Sequence, residues 1–339
     1  MAKLRSDMAA TADPQTSSPF FDRLPFEIRD KIFDELWALY DTRWHVHSAG
    51  DHVVPAFPCI TAAHEDDIRY ARFQAARGIE ALTWESRLRS PWNTHWRCAE
   101  AAAVRATNPR TGRTASPRDI VRRRPGFASP SSPLLVCKRW YVESIEPLEN
   151  VLTFVFTDII VARNFLRSHA PTRKIRNVEV SLRVKPLISE LYFPGPDGEP
   201  QPHIAGVPVT AKDNPWEDLA RRLSSLPRLR ELHVYLDSED LRPWHKRVNE
   251  RGFLRQLLEA RARNFVLYLP NVSAEATLQG LPEANLQEGR LDDASCTVVR
   301  GPRPNNWQLH LSRISHVLPE NWTHTLWNQA HDRVMPQYA

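Results

Sequence analysis

From Phe20 to Tyr40 the chain reads FFDRLPFEIRDKIFDELWALY, in which Ile28, Ile32, Phe33, Leu36 and Leu39 recur at helical spacing while Arg29, Asp30, Lys31, Asp34 and Glu35 fill the positions between. This is the pattern of a helix with one apolar face. Pro25 suits the first turn, where a missing N–H costs no bond, and Glu27 just inside it favours the positive end of the helix dipole. A second such stretch runs from Pro133 to Ile145, PLLVCKRWYVESI. Ser132 is placed to cap it, Pro133 takes its first position, Leu134, Cys137, Tyr141 and Ile145 form its apolar stripe, and Pro147 is expected to end it. Each helix has a face to bury, and each offers the other a partner.

Beyond residue 150 the pattern changes to strands alternating with helices. VLTFVF reads as a strand, and Asp158 can cap a helix carrying Ile159, Ala162, Phe165 and Leu166. IRNVEVSLRV then alternates Val178, Val180, Leu182 and Val184. Asn214 and Pro215 open another helix, SLPRLRELHVYL leads into a strand, Asn249 to Ala262 is helical, and NFVLYL, CTVVRG and WQLHLS read as strands before a closing helix from Trp322 to Val334. Upstream, WHVHSAGDHVVPAF fits a hairpin about its Ser-Ala-Gly-Asp turn. Units with one apolar face must stack or share a sheet, and parallel strands joined by helices are the simplest solution. The expected class is therefore α+β or α/β.

Three short motifs carry a family resemblance: LPFEIRDKIFDEL, VCKRWY, and the set Cys137, Tyr141 and Glu143 followed by VLTFVF. The first resembles the opening helix of an F-box and the second its third helix. The whole is similar to a fungal family that begins with an F-box-like LPxEIRxxI(F/Y)xxL and continues, after a variable stretch, into a Cys-x-x-x-Tyr-x-Glu helix and α/β units. Leu226, Leu229, Leu232, Val234 and Leu236 approach the rhythm of a leucine-rich repeat, at uneven intervals. The resemblance implies an F-box-like helical amino-terminal region followed by an irregular leucine-rich-repeat-like α/β domain. It implies docking to the Skp-type adaptor of a cullin-RING ubiquitin ligase through Leu24, Pro25, Ile28, Ile32 and Leu36 on the first helix and Val136, Cys137 and Trp140 on the last. The second domain would present an unknown protein substrate.

Composition narrows the remaining choices. With 339 residues, 42% of them hydrophobic, the chain is long enough for two domains. The expected division is a disordered tail over 1–19, the F-box-like region over 20–150 with a basic, partly disordered insertion at about 42–132, and the α/β domain over 151–339. No run is apolar enough to span a membrane and Met1 to Ala12 lacks a secretory core, so the expected address is cytoplasm or nucleus. The net charge of +5 is mild, but Arg69 to Ala128 holds thirteen arginines against Glu80, Glu85, Glu100 and Asp119. With Phe73, Trp84, Trp92 and Trp96 this segment has the ingredients of a single-strand nucleic-acid site, and Arg122, Arg123 and Arg124 those of a nuclear-import signal. No nucleic-acid motif frames it, so a solvated loop whose tryptophans cover the neighbouring core is the preferred reading.

Enzymatic chemistry finds no anchor: there is no phosphate loop, no Gly-x-Ser-x-Gly elbow and no His-Glu-x-x-His helix. Cys59, Cys98, Cys137 and Cys296 lie far apart, without a Cys-x-x-Cys pair, and indicate neither a disulfide framework nor a zinc ribbon. Cys137 is read as a small buried hydrophobe. His45, His47 and His52 sit where a hairpin could converge them on a metal, but no nearby Cys or carboxylate completes a set, so they are read as a polar hairpin face and no metal or other cofactor is expected. The overall expectation is a non-enzymatic protein-interaction module. The alternative is a structural scaffold or nucleic-acid-associated protein whose F-box-like helices do not bind the adaptor.

Overall fold

The alternation written after residue 150 becomes a sheet because one side of each of its central strands is apolar. In β4 (Asn177–Val184) Val178, Val180, Leu182 and Val184 are buried on one face, and Leu232, Val234 and Leu236 of β7 (Glu231–Ser238) and Phe265, Leu267 and Leu269 of β8 (Asn264–Pro270) continue that face. The computed structural model describes residues 2–40, 42–49, 52–61, 68–77, 80, 84, 87, 95–98, 100–101, 136–168, 174–184, 203–204, 207–208, 214–238, 248–272, 285–291 and 296–301.

Among the described residues, eight strands form the main sheet in the order β2-β1-β3-β4-β7-β8-β10-β9. The six inner strands, β1 (Arg43–Ala49), β3 (Thr153–Phe156), β4, β7, β8 and β10 (Cys296–Gly301), run parallel and follow one another in chain order. Two antiparallel strands, β2 (His52–Pro58) and β9 (Gly289–Arg290), close the edges. A separate two-stranded ribbon joins β5 (His203–Ile204) to β6 (Val207–Pro208). The expected hairpin is the β1–β2 pair, with an irregularity in register between His45 and His47.

Helices connect the parallel strands and bury the apolar face. α6 (Ile159–Ser168) follows β3, α7 (Pro215–Ser224) precedes β7, and α8 (Glu250–Leu258) precedes β8; α7 packs between the other two. Their starts are where the sequence places them. Val161 donates to the Asp158 carboxylate at 2.8 Å, Trp216 to Asn214 at 3.0 Å and Gly252 to Asn249 at 3.0 Å, each satisfying an N–H that the first helical turn leaves free. Trp216 stacks flat on Phe253, with ring centroids 4.4 Å apart, and donates its indole N–H to the Phe253 carbonyl at 2.6 Å.

The helical region at the amino end is α1 (Ala2–Ala10), α2 (Pro19–Arg23) and α3 (Phe26–Ala38), packed on α5 (Lys138–Val151); α4 (Arg69–Ala75) lies between β2 and α5 in the chain. Four expectations change here. The tail expected over 1–19 is helical from Ala2 to Ala10 and adjoins α5, where Lys138 donates to the Thr11 hydroxyl at 2.9 Å. α5 begins at Lys138, and Cys137 is its half-buried N-cap, accepting from the Trp140 N–H at 3.3 Å, so its sulfur serves as a cap acceptor. Pro133 and Leu134 lie outside the described residues. Pro147 does not end the helix: it is buried within it, and the chain stays helical to Val151 because Leu148 still has the core of the helix pair to fill. Finally, β1 is hydrogen-bonded to β3, so the sheet draws strands from both sides of the boundary expected at residue 150. WQLHLS and the helix expected at Trp322–Val334 lie outside the described residues. None of the described helices is long and apolar enough to cross a membrane.

Candidate functional site

Two places gather side chains that sequence reasoning singled out: the α3–α5 pair, and the polar face of the sheet above β1 and β4. In α3 the buried positions are Arg29, Phe33 and Trp37, spaced four residues apart. Phe33 packs edge-on against Trp140 at 4.9 Å, Phe20 joins both rings, and Trp37 donates its indole N–H to the Ser144 carbonyl at 2.9 Å. Arg29 belongs to this buried stripe, against its expected place on the polar face, because Glu143 of α5 meets it with two hydrogen bonds of 2.7 and 3.1 Å. The Leu24 carbonyl accepts from the same guanidinium at 2.5 Å. The Arg of the EIR motif and the Glu of the Tyr-x-Glu motif are thus partners.

This rotation of the helix leaves part of its apolar surface outward. Ile28 is 43% exposed, Ile32 38% and Leu39 84%, a stripe at helical spacing, with Phe26 at 55% and Val136, just before α5, at 66%. Five of the six large hydrophobic residues exposed among the described residues therefore lie on or beside the helix pair. Pro25 is exposed, Leu24 is half-buried, and Leu36 and Trp140 pack against the Phe33–Trp37–Leu148 cluster. Arg122, Arg123 and Arg124 lie outside the described residues.

The arginine-rich segment uses its aromatic rings internally where it is described. Trp84 is buried edge-on against Trp96 at 4.9 Å, and the Arg87 guanidinium lies over both rings at 4.5 and 5.0 Å while donating to Glu100 at 2.7 Å. Where they are described, these rings and this cation engage one another. Trp92 is outside the described residues.

The polar face of the sheet holds a set that sequence reasoning missed. The strand register puts His45 of β1 beside Val155 of β3 and Val155 beside Glu179 of β4, all on the face opposite the apolar one. Onto this row fold Cys59, just after β2, and His95 and Cys98 from a helical turn of the basic segment. His45, Cys59, His95 and Cys98 are all buried, and their nitrogen and sulfur atoms lie within 4.8 Å of one another. The two sulfurs are 3.7 Å apart and Cys59 Sγ is 3.5 Å from His95 Nδ1. The His45 and His95 rings meet edge-on at 4.6 Å.

Around the four lies a shell of hydrogen bonds. His95 Nε2 is 2.9 Å from Glu179 Oε1, and Arg43 donates to both oxygens of that carboxylate at 2.8 and 2.9 Å. Burial by itself would raise the Glu179 carboxyl, but the His95 hydrogen bond and the Arg43 charge outweigh it and hold the group below the usual carboxylate range. An ionised carboxylate only accepts, so Nε2 of His95 donates to it and Nδ1 is turned toward the Cys59 sulfur; burial by itself would lower the His95 imidazole, but its hydrogen bonds to Cys98 and Glu179 outweigh that and raise it. Cys98 Sγ receives the Ile60 N–H at 3.4 Å and lies 3.5 Å from the Thr61 hydroxyl. The Cys59 thiol, followed by the two imidazoles, lowers the Cys98 thiol, while burial lowers the His45 imidazole and keeps it neutral. Two thiols and two imidazoles gathered this closely form a soft donor set.

The expectation that His45 belongs to a polar hairpin face is therefore overturned: the residue is buried, and its companions are Cys59, His95 and Cys98. The side chains of His47 and His52 lie outside the description. The missing Cys was present but was supplied by the fold from up to 53 positions away in sequence, Cys98 counted from His45. One local signal was available. His95-x-x-Cys98 is a spacing that puts two ligands on one side of a helical turn.

Fold and site together define a mixed α/β protein with a mostly parallel sheet, a packed helix pair, and a closed cluster of two thiols and two imidazoles. The chain belongs to the family described as Domain of unknown function (DUF7730), whose model matches residues 13–289. No curated protein and no solved structure matches the chain.

Proposed function

We propose that the chain is a non-enzymatic protein-interaction module, the substrate-recognition subunit of a cullin-RING ubiquitin ligase, in which α3 and α5 act as an F-box-like pair that docks a Skp-type adaptor. The observation that carries this reading is the outward apolar stripe of Ile28, Ile32 and Leu39 beside an already well-packed Phe33–Trp37–Trp140 core. An amphipathic helix whose buried face is complete needs no further apolar residues for folding, and a solvent-facing row of them suits a helix-in-groove partner. Leu24, Pro25, Leu36, Val136, Cys137 and Trp140 border or support that row in the sense the resemblance implies.

The α/β sheet is the part assigned to an unknown protein substrate. Its six inner strands follow one another in chain order with a helix beside each of the middle crossovers, which supports an irregular leucine-rich-repeat-like winding. The internal use of Trp84, Trp96 and Arg87 supports the same reading over a nucleic-acid one. The chain would work in the cytoplasm or nucleus.

A pull-down of the full chain with recombinant adaptor subunit tests this. Ile28→Glu/Ile32→Glu changes only exposed positions and is expected to remain folded by circular dichroism while losing capture of the adaptor. Absence of binding by the folded wild-type chain, or unchanged binding by the double variant, overturns the reading.

A further inference from the structure

We propose that the chain holds one zinc ion between His45, Cys59, His95 and Cys98, as a closed structural site that clips the segment after β1 onto the polar face of the sheet. The inference is independent of the adaptor reading. Zinc bonds of about 2.3 Å to sulfur and 2.0–2.1 Å to nitrogen, set tetrahedrally, place two sulfurs about 3.8 Å apart and a sulfur and a nitrogen about 3.5 to 3.6 Å apart. The pairs here stand at 3.7 Å for Cys59–Cys98 and 3.5 Å for Cys59–His95. All other donor pairs are within 4.8 Å, so closing on an ion asks for side-chain movement of roughly an ångström.

The surroundings are those that such a site needs. Glu179 faces the far nitrogen of His95, so in the neutral ring that binds a metal it holds the proton on Nε2 and presents Nδ1 to the ion, and Arg43 in turn fixes Glu179. The Ile60 N–H and the Thr61 hydroxyl face the Cys98 sulfur, where thiolate charge gathers on metal binding. Charge also balances: binding expels the two thiol protons, and two thiolates cancel the ion's two positive charges, so no net charge is buried. Hard cations are disfavoured by two sulfurs, and tetrahedral S₂N₂ is a zinc geometry. Four protein ligands, all buried, leave no position for substrate, which makes the site structural.

The consequence lies in the fold. His45 comes from the strand next to the sheet's β2 edge, Cys59 from just after β2, and His95 and Cys98 from the arginine-rich segment. Metal binding to such a segment contributes folding free energy directly, because the unfolded chain has no preformed site.

The test is metal analysis of the full-length chain after gel filtration in chelator-treated buffer, with inductively coupled plasma mass spectrometry. About one zinc per chain is expected, retained by Cys137→Ser and lost from Cys59→Ser/Cys98→Ser. Because the double variant could misfold, wild-type chain is also refolded with cobalt(II), where the intense visible bands of a tetrahedral ion and sulfur-to-cobalt charge transfer are expected. A folded wild-type chain that carries no zinc and gives no cobalt bands overturns the proposal. So does zinc content that the double substitution leaves unchanged.

Discussion

Arg29 is a charged residue that the structure counts among the core positions of its helix. Its period argued for that all along, since it stands four residues before Phe33 and eight before Trp37, but its charge argued against, and only Glu143, more than a hundred residues away, resolves the conflict. Both side chains are largely withdrawn from water, at 9% and 13% exposure, so neither can lose its partner cheaply. Glu143→Ala is expected to destabilise the chain by about 3 kcal/mol, because it leaves a guanidinium buried without its carboxylate. Urea denaturation measures this, and a cost under about 0.5 kcal/mol would mean the pair behaves like an exposed surface bridge. The same residue-level logic explains Ile28 and Ile32. Hydrophobicity alone assigns them to the packed face, and it is the ion pair that turns the helix by part of a turn and leaves them outside.

Elements after residue 150 were largely legible because two independent signals agreed on each. Val178, Val180, Leu182 and Val184 alternate as a half-buried strand must, and Asp158, Asn214 and Asn249 mark helix starts with side chains that do accept from the first turn. α5 was less legible, because Pro147 is a general stop signal and nothing local shows that Leu148 is needed in a core several elements away. Long-range pairing was equally hidden at the far edge of the sheet. Glu250, at the first turn of α8, has no exposed surface, and Arg300 of β10 donates to both of its oxygens at 2.7 Å. The same guanidinium holds the Pro270 and Leu286 carbonyls at 2.8 and 2.6 Å, so it ties α8, β8 and β10 together. Arg300→Ala is expected to cost about 3–5 kcal/mol, since it strands a buried carboxylate. Thermal unfolding followed by circular dichroism checks it, and a melting temperature equal to that of wild type would remove the pair from the list of elements that hold this edge.

At the scale of the whole molecule, the main departure from the sequence reading is that β1 belongs to the same sheet as the strands after residue 150. A strand contributed from the basic segment carries that segment with it, and the face it covers is the one where Glu179 of β4, two strands from His45, meets His95. Only the His95-x-x-Cys98 pair was visible in spacing. His45, Cys59 and the pair His95 and Cys98 lie in three separate local contexts, and only the β1–β3 register and the turn at residues 95–98 bring them within reach of one ion. Cys137 and Cys296, equally anonymous in sequence, went instead to a helix cap and to the packed face of β10. X-ray absorption at the zinc edge of the full-length chain is the most direct test of the metal centre. The expected first shell is two sulfurs at about 2.3 Å and two nitrogens at about 2.0–2.1 Å, with the imidazole scattering pattern beyond. A shell of oxygen and nitrogen alone, or no bound zinc in the folded chain, would contradict it.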